Sequence, residues 1–267
     1  MSALAEPAFA WEPVTPRGVA AFARASLERL VVVQSIFALL AAASFTWLLS
    51  DGLFPTIDAA VGQLPATGEI RNGRLVLPDP SPVMLAEGRL LAINVDLKHS
   101  GQIRSPAEFQ AEFGENSLSV FSLFGEAEIA YPDGQSFSFN RTDVQPLWEA
   151  WSPDLLALAA IGTFLGLMLV WALLATLYFF PVWLICFFAN RDLNFRQSWR
   201  LAGAALMPGA LLMSLSLLLY DWGDCDLVQL CFAFGLHLVI GWIYLFVSPL
   251  FLNPALPSAT KNPFTDK

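Results

Sequence analysis

Charge is scarce in this chain, and the scarcity is uneven. Asp, Glu, Lys and Arg make up 14% of the 267 residues, where an ordinary soluble domain carries about 25%. From Leu155 to Ala189 there is no charged residue at all. Histidine occurs twice, and the three cysteines, Cys186, Cys225 and Cys231, lie toward the C-terminus. Without an earlier cysteine, the polar part of the chain has no disulfide framework and no CxxC metal knuckle. With no cysteine it cannot assemble a Cys-His nucleophile, and with His99 as its one histidine no nucleophilic triad is expected there. P-loop, GxGxxG and HExxH patterns are missing. The net charge of −9 gives no basic footprint for phosphate, which argues against nucleic acid as a partner. No catalytic residue, cofactor or metal ligand is expected, and an enzyme is the least supported class.

What the chain has instead is apolar length. Hydrophobic residues reach 56%, and a membrane-crossing helix needs roughly 20 of them in a row. The first such stretch is Leu30 to Leu49. The uncharged run from Leu155, at about 1.5 Å per residue, would extend roughly 52 Å, too far for one crossing of a core of about 30 Å. The second span is therefore expected to end near Phe179, with a kink or an interfacial piece after Pro181. Leu201 to Tyr220 and Leu227 to Phe251 complete four spans. Ala41-Ala42-Ala43 could serve a signal peptidase, but apolar residues continue past it, and an uncleaved anchor is expected.

Short flanking segments orient the spans. Arg17, Arg24 and Arg29 precede the first, Arg191, Arg196 and Arg200 separate the second from the third, and Lys261 and Lys267 follow the fourth. The remaining short connection, Asp221 to Asp226, contains three aspartates and no basic residue. The positive-inside bias then places both termini in the cytoplasm and the polar segment outside. Between Asp51 and Asp154 fifteen acidic residues face six basic ones. The aspartate loop could hold a hard cation, but a short solvated connection accounts for it and no metal is assigned.

The polar segment reads as a small α+β domain. In GEIRNGRLVLPDP, Asn72-Gly73 signals a type I′ hairpin pairing Arg71 with Arg74, Ile70 with Leu75 and Glu69 with Val76. Ile70, Leu75 and Leu77 form the buried face; Arg71 and Arg74 are a candidate anion contact. Leu90 to Leu97 alternates with Leu91, Ile93, Val95 and Leu97 inward. Ser105-Pro106-Ala107-Glu108 reads as a capping box opening a short helix that pairs Phe109 with Phe113 and ends at Gly114. Strands are expected at Leu118 to Phe124, Ala127 to Tyr131 and Ser136 to Phe139. Glu126 and Glu128 share a strand face, read as acidic decoration, and His99 is read as a solvated turn residue.

Inside the spans His237 is the one ionisable side chain, a functional hypothesis by default, read mainly as a hydrogen-bonding helix residue. Pro208 and Gly209 interrupt the third span, as a packing kink or as backbone open to a substrate. Gly162 and Gly166 form a small-residue contact motif. Arg191, Arg196 and Arg200, interleaved with Phe195 and Trp199, suit anionic lipid headgroups.

Ile70-Arg71-Asn72-Gly73-Arg74-Leu75, the strand Ile93-Asn94-Val95-Asp96 and the segment Asn194 to Leu212 carry a resemblance. From Leu30 to Phe251 the layout resembles a bacterial membrane-protein family, a domain of unknown function labelled maltodextrin-utilisation membrane protein. Asn194 to Leu212 is also similar to the helical segment of Ypt-interacting-protein-like membrane domains. The resemblance implies an accessory role beside sugar uptake and supplies no catalytic residues.

The expectation is a multi-pass α-helical membrane protein with four spans and a small extracytoplasmic α+β domain, an antiparallel sheet plus one short helix. Residues 1–29 form a cytoplasmic segment, 30–49 the first span and 50–153 the outward domain. Residues 154–251 form three helices with a basic loop at 190–200, and 252–267 a cytoplasmic tail. The chain is expected in the bacterial inner membrane as a non-enzymatic accessory or scaffold protein beside a membrane-protein partner. The alternative is a transporter component using Pro208 and His237.

Overall fold

Asn72 and Gly73 both take positive φ, 49° and 74°, as a type I′ turn demands. The strands they join, β1 (Glu69–Arg71) and β2 (Arg74–Val76), pair in the expected register, Ile70 opposite Leu75 and Arg71 opposite Arg74. The computed structural model describes residues 10–78 and 81–254; the tail lysines Lys261 and Lys267 lie outside them. The chain divides into two compact units, one of Met1–Ala42, Gly162–Ser216 and Val228–Lys267, the other of Ala43–Ile161 and Leu217–Leu227.

Four helical stretches are long and apolar enough to cross a membrane: Leu27–Gly62, Arg141–Phe188, Phe195–Asp221 and Leu227–Phe251. The first comprises α2 (Leu27–Trp47), a π-helical segment Leu48–Leu53, and α3 (Phe54–Gly62). The second is α4 (Arg141–Phe188), which starts well before the expected boundary at 154 and runs through Pro153 and Pro181. The helix itself thus continues past Phe179, where the span was expected to end, to Phe188. Proline removes one backbone donor, but apolar surroundings offer the backbone no alternative partner to the helix, so the turns on either side hold. The third breaks at Leu206 into α5 (Phe195–Ala205) and α6 (Met207–Asp221), just ahead of Pro208. The fourth is α7 (Leu227–Val247) with a 3-10 turn to Phe251.

The unit holding most of these helices also orders α1 (Pro16–Ala21), inside a segment expected only as a basic flank. Thr15 caps it and Pro16 occupies its first turn. Val19, Phe22 and Ala23 join Leu30, Val33, Val182, Leu201 and Leu245 in one buried cluster. Most of the basic loop 190–200 is helix: Asn194 and Gln197 form a capping box that starts α5, so Arg196 and Arg200 stand on a helix face. Among the described residues, a Cβ at Gly162 or Gly166 would meet no atom within 4 Å.

The second unit carries the sheets. β8 (Ser136–Ser138) adds to β1 in a three-stranded antiparallel sheet. A five-stranded sheet runs in sequence order through β3 (Val83–Glu87), β4 (Leu91–Val95), β5 (Phe109–Phe113), β6 (Ser117–Ser122) and β7 (Gly125–Ala130). Two expectations fail here. Residues 109–113 are a strand, and because β4 and β5 pair in parallel the sheet is mixed. FQAEF alternates apolar and polar residues, so pairing on both sides outcompetes a helix too short to be stable alone. Ser105 still accepts from the amide of Ala107 at 3.0 Å, a local turn with no helix after it. The unit's short helix is α3, which packs Ile57 and Ala60 with Leu75, Leu85, Ile93, Val95 and Phe139.

Candidate functional site

A parallel pair needs a crossover, and here residues 98–108 pass across one face of the sheet. That crossover explains an unexpected feature of β4. Leu91, Ile93 and Val95 face the core as their alternation requires, yet Asn94 and Asp96 on the opposite face are 0% and 1% exposed. Buried polar groups must be hydrogen-bonded, and these two are. Asp96 accepts from the Ser100 hydroxyl at 2.7 Å, the Gly101 amide at 3.2 Å and the Lys98 amide at 3.3 Å. Burial alone would raise its pKa; the Ser100 and backbone hydrogen bonds outweigh that and hold the carboxyl below its ordinary value.

The turn closed by Asp96 sets His99, at φ 48°, over Glu112. Nδ1 of His99 is 2.7 Å from one oxygen of Glu112, and the Asn94 amide donates to the other at 3.1 Å. Gln110 then donates to Asn94 at 3.1 Å and to the carbonyl of Ile103 at 3.4 Å. Gly114 leaves the space that the His99 ring occupies, for a Cβ there would collide with it. His99 is exposed, as expected of a turn residue, with 43% of its side chain accessible, and it also anchors the crossover through Glu112. A lone histidine after Lys98 in a polar turn gave no sign of this pairing, because Glu112 lies on another strand.

Under the crossover lies a cavity of about 510 Å³, bordered by His99, Arg104, Gln110, Glu112, Phe121 and Glu128 among others. The register brings the set together: Glu112 lies opposite Ser119, Ser119 opposite Glu128, and Phe121 opposite both Gln110 and Glu126. Glu126 and Glu128 thus share the cavity face, as their spacing required. Among the described residues the side chains of Arg104, Glu126 and Glu128 make no hydrogen bond or ion pair. The groove offers one guanidinium, two open carboxylates and amide and hydroxyl groups beside one aromatic ring.

The other sequence candidates separate. Arg71 lies 3.7 Å from Glu69, and Arg74 is bound to Glu115. Each arginine thus has its own carboxylate partner. Arg191 donates to the carbonyl of Leu252 and works as a latch, while Arg196 and Arg200 line a cavity with Leu27, Phe179 and Trp199. His237 Nδ1 bonds the carbonyl of Phe234 one turn back on its own helix. Gly209 sits against the backbone of His237, where a Cβ would strike the carbonyl oxygen. The break before Pro208 thus serves close helix packing, beside an apolar cluster of Ala38, Trp171, Met207 and Ala210. Among the described residues no group of three or more His, Cys, Asp or Glu could hold a metal ion.

No family model, curated protein or solved structure matches this chain.

Proposed function

We propose that the chain is a non-enzymatic integral membrane accessory protein that presents a ligand-sensing sheet domain outside the cytoplasm. Four apolar helical stretches support the membrane reading. The distribution of Arg17, Arg24, Arg29, Arg191, Arg196 and Arg200 supports an orientation with the arginine segments in the cytoplasm of a bacterial inner membrane. The sheet domain and the aspartate loop then face outward. A neighbouring membrane protein is the natural recipient of its signal, given that the groove has no assembled nucleophile.

The observation that carries the reading is the groove beneath the crossover. Carboxylates accept from hydroxyls, the Arg104 guanidinium donates to them, and Phe121 offers an apolar face for a ring's C–H bonds. That mixture suits a hydroxyl-rich ligand such as a mono- or oligosaccharide, in keeping with the sugar-uptake role that the family resemblance implies. The transporter alternative draws less support, because Gly209 and Met207 are committed to packing at the positions it would need open.

Calorimetric titration of the full chain in mild detergent with a panel of mono- and oligosaccharides tests the ligand. Binding by at least one member, lost in Glu128→Gln and Phe121→Ala, is the expected result. A panel with no binder, or binding indifferent to both substitutions, overturns it.

A further inference from the structure

The three arginines between the second and third spans do not act alike. Arg191 is consumed by the Leu252 carbonyl. Arg196 and Arg200 stand four residues apart on α5 and so project from the same face, about one turn apart. Between them and α4 is a cavity of about 430 Å³ whose remaining walls are mostly apolar: Leu27, Phe179, Phe195 and Trp199.

These walls are fixed in place. The Trp199 indole donates to the Thr176 hydroxyl at 3.0 Å, and the rings of Phe179 and Phe195 meet edge to face at 5.8 Å. Arg200 is held by a 2.6 Å hydrogen bond to the carbonyl of Ala25. Arg196, by contrast, has no hydrogen bond or ion pair among the described residues. Two like charges at this spacing repel by a few tenths of a kcal/mol on an exposed helix, and an anion between them would relieve that repulsion. Planar guanidiniums match phosphate oxygens in pairs. The aromatic and aliphatic walls would gain nothing from a small hydrated anion, but they match an acyl chain.

We propose that this slot binds one anionic phospholipid, its phosphodiester between Arg196 and Arg200 and an acyl chain against Phe179 and Trp199. The inference rests on the membrane reading above and goes beyond it by naming a stoichiometric lipid site.

The test is native mass spectrometry of the delipidated full chain in mild detergent. It is titrated with dioleoyl-phosphatidylglycerol and, separately, dioleoyl-phosphatidylcholine. One phosphatidylglycerol adduct is expected, about tenfold tighter than any phosphatidylcholine adduct, since a hydrogen bond to a charged group contributes about that factor. Arg196→Gln removes the preference, Arg196→Lys retains part of it, and Phe179→Ala weakens the adduct. Arg17→Gln, at an exposed arginine, changes net charge equally and leaves the preference intact. Equal binding of the two lipids overturns the proposal, as does an equal loss in Arg17→Gln. So does displacement of the adduct by millimolar inorganic phosphate, which would make the site one for free phosphate. Retention of the chain in carbonate-washed membranes is scored in parallel. Release there sinks the membrane reading itself, whereas retention without lipid preference sinks the slot alone.

Discussion

The guanidinium of Arg89 lies over the ring of Tyr220, 4.9 Å from its centroid. The same side chain donates to the main-chain carbonyls of Tyr220 and, at 3.1 Å, Asp221. Those carbonyls end α6, where the Tyr220 carbonyl also accepts from the Gly223 amide at 3.1 Å, and a cation there adds hydrogen bonds and complements the helix dipole. The Tyr220 hydroxyl donates to Glu108, and Arg89 lies 3.9 Å from that carboxylate. One arginine thus fixes Tyr220 and Asp221, where the aspartate loop begins.

Arg89→Ala is expected to destabilise this unit by about 1.5–3 kcal/mol, the range for hydrogen bonds to charged groups. Tyr220→Phe, which loses the hydroxyl alone, is expected to cost about 0.5–1.5 kcal/mol. Because the two share partners, the double variant falls short of the sum. Thermal unfolding of the full chain in mild detergent, run as a double-mutant cycle, reads the coupling.

Asp96 makes a pH prediction with a definite sign. Its carboxyl is held below the ordinary value in the folded chain, so the stability it contributes is present above the unfolded carboxylate pKa, about 3.9. It is lost as pH falls through the lower, folded value. Melting temperature between pH 7 and pH 3 checks this. Asp96→Asn should be less stable than the parent at pH 7 and converge on it at the acid end. A constant difference across the range contradicts the assignment.

Gly209→Ala places a methyl group against the His237 carbonyl, an overpacking expected to cost about 1–3 kcal/mol. His237→Ala removes a side chain that bonds the Phe234 carbonyl one turn back on its own helix, and is expected to lower the melting temperature less than Gly209→Ala. The reverse order would return His237 to consideration as a functional intramembrane residue.

Much of the architecture was legible because its signals are local. Apolar length marks the four helical stretches, and Asn72-Gly73 fixes both turn and register through positive φ. Ser105 to Gly114 shows the limit. A capping box and an i,i+4 phenylalanine pair are local evidence for helix, but the same residues alternate with period two. The choice between the two depends on β4 and β6, which local sequence does not reveal. The site was hidden for the same reason. Asn94, Asp96, His99, Gln110 and Glu112 are ordinary polar residues until a parallel pairing carries residues 98–108 across them. α4 resists prediction differently: Pro153 and Pro181 weaken a helix by a known amount, but the surroundings that hold it together are not written beside them.

The central claim is that the sheet domain and the aspartate loop lie outside the cytoplasm, and Cys225 tests it most directly. Burial and then neighbouring Asp226 raise its thiol pKa, so labelling belongs at mildly alkaline pH, where more thiolate is present. Spheroplasts are treated with a membrane-impermeant thiol reagent, with Cys225→Ser as the blank. The account predicts labelling of Cys225 in sealed spheroplasts at a rate that permeabilisation leaves nearly unchanged. Labelling that begins only after the membrane is opened would put Asp221 to Asp226 in the cytoplasm and contradict it.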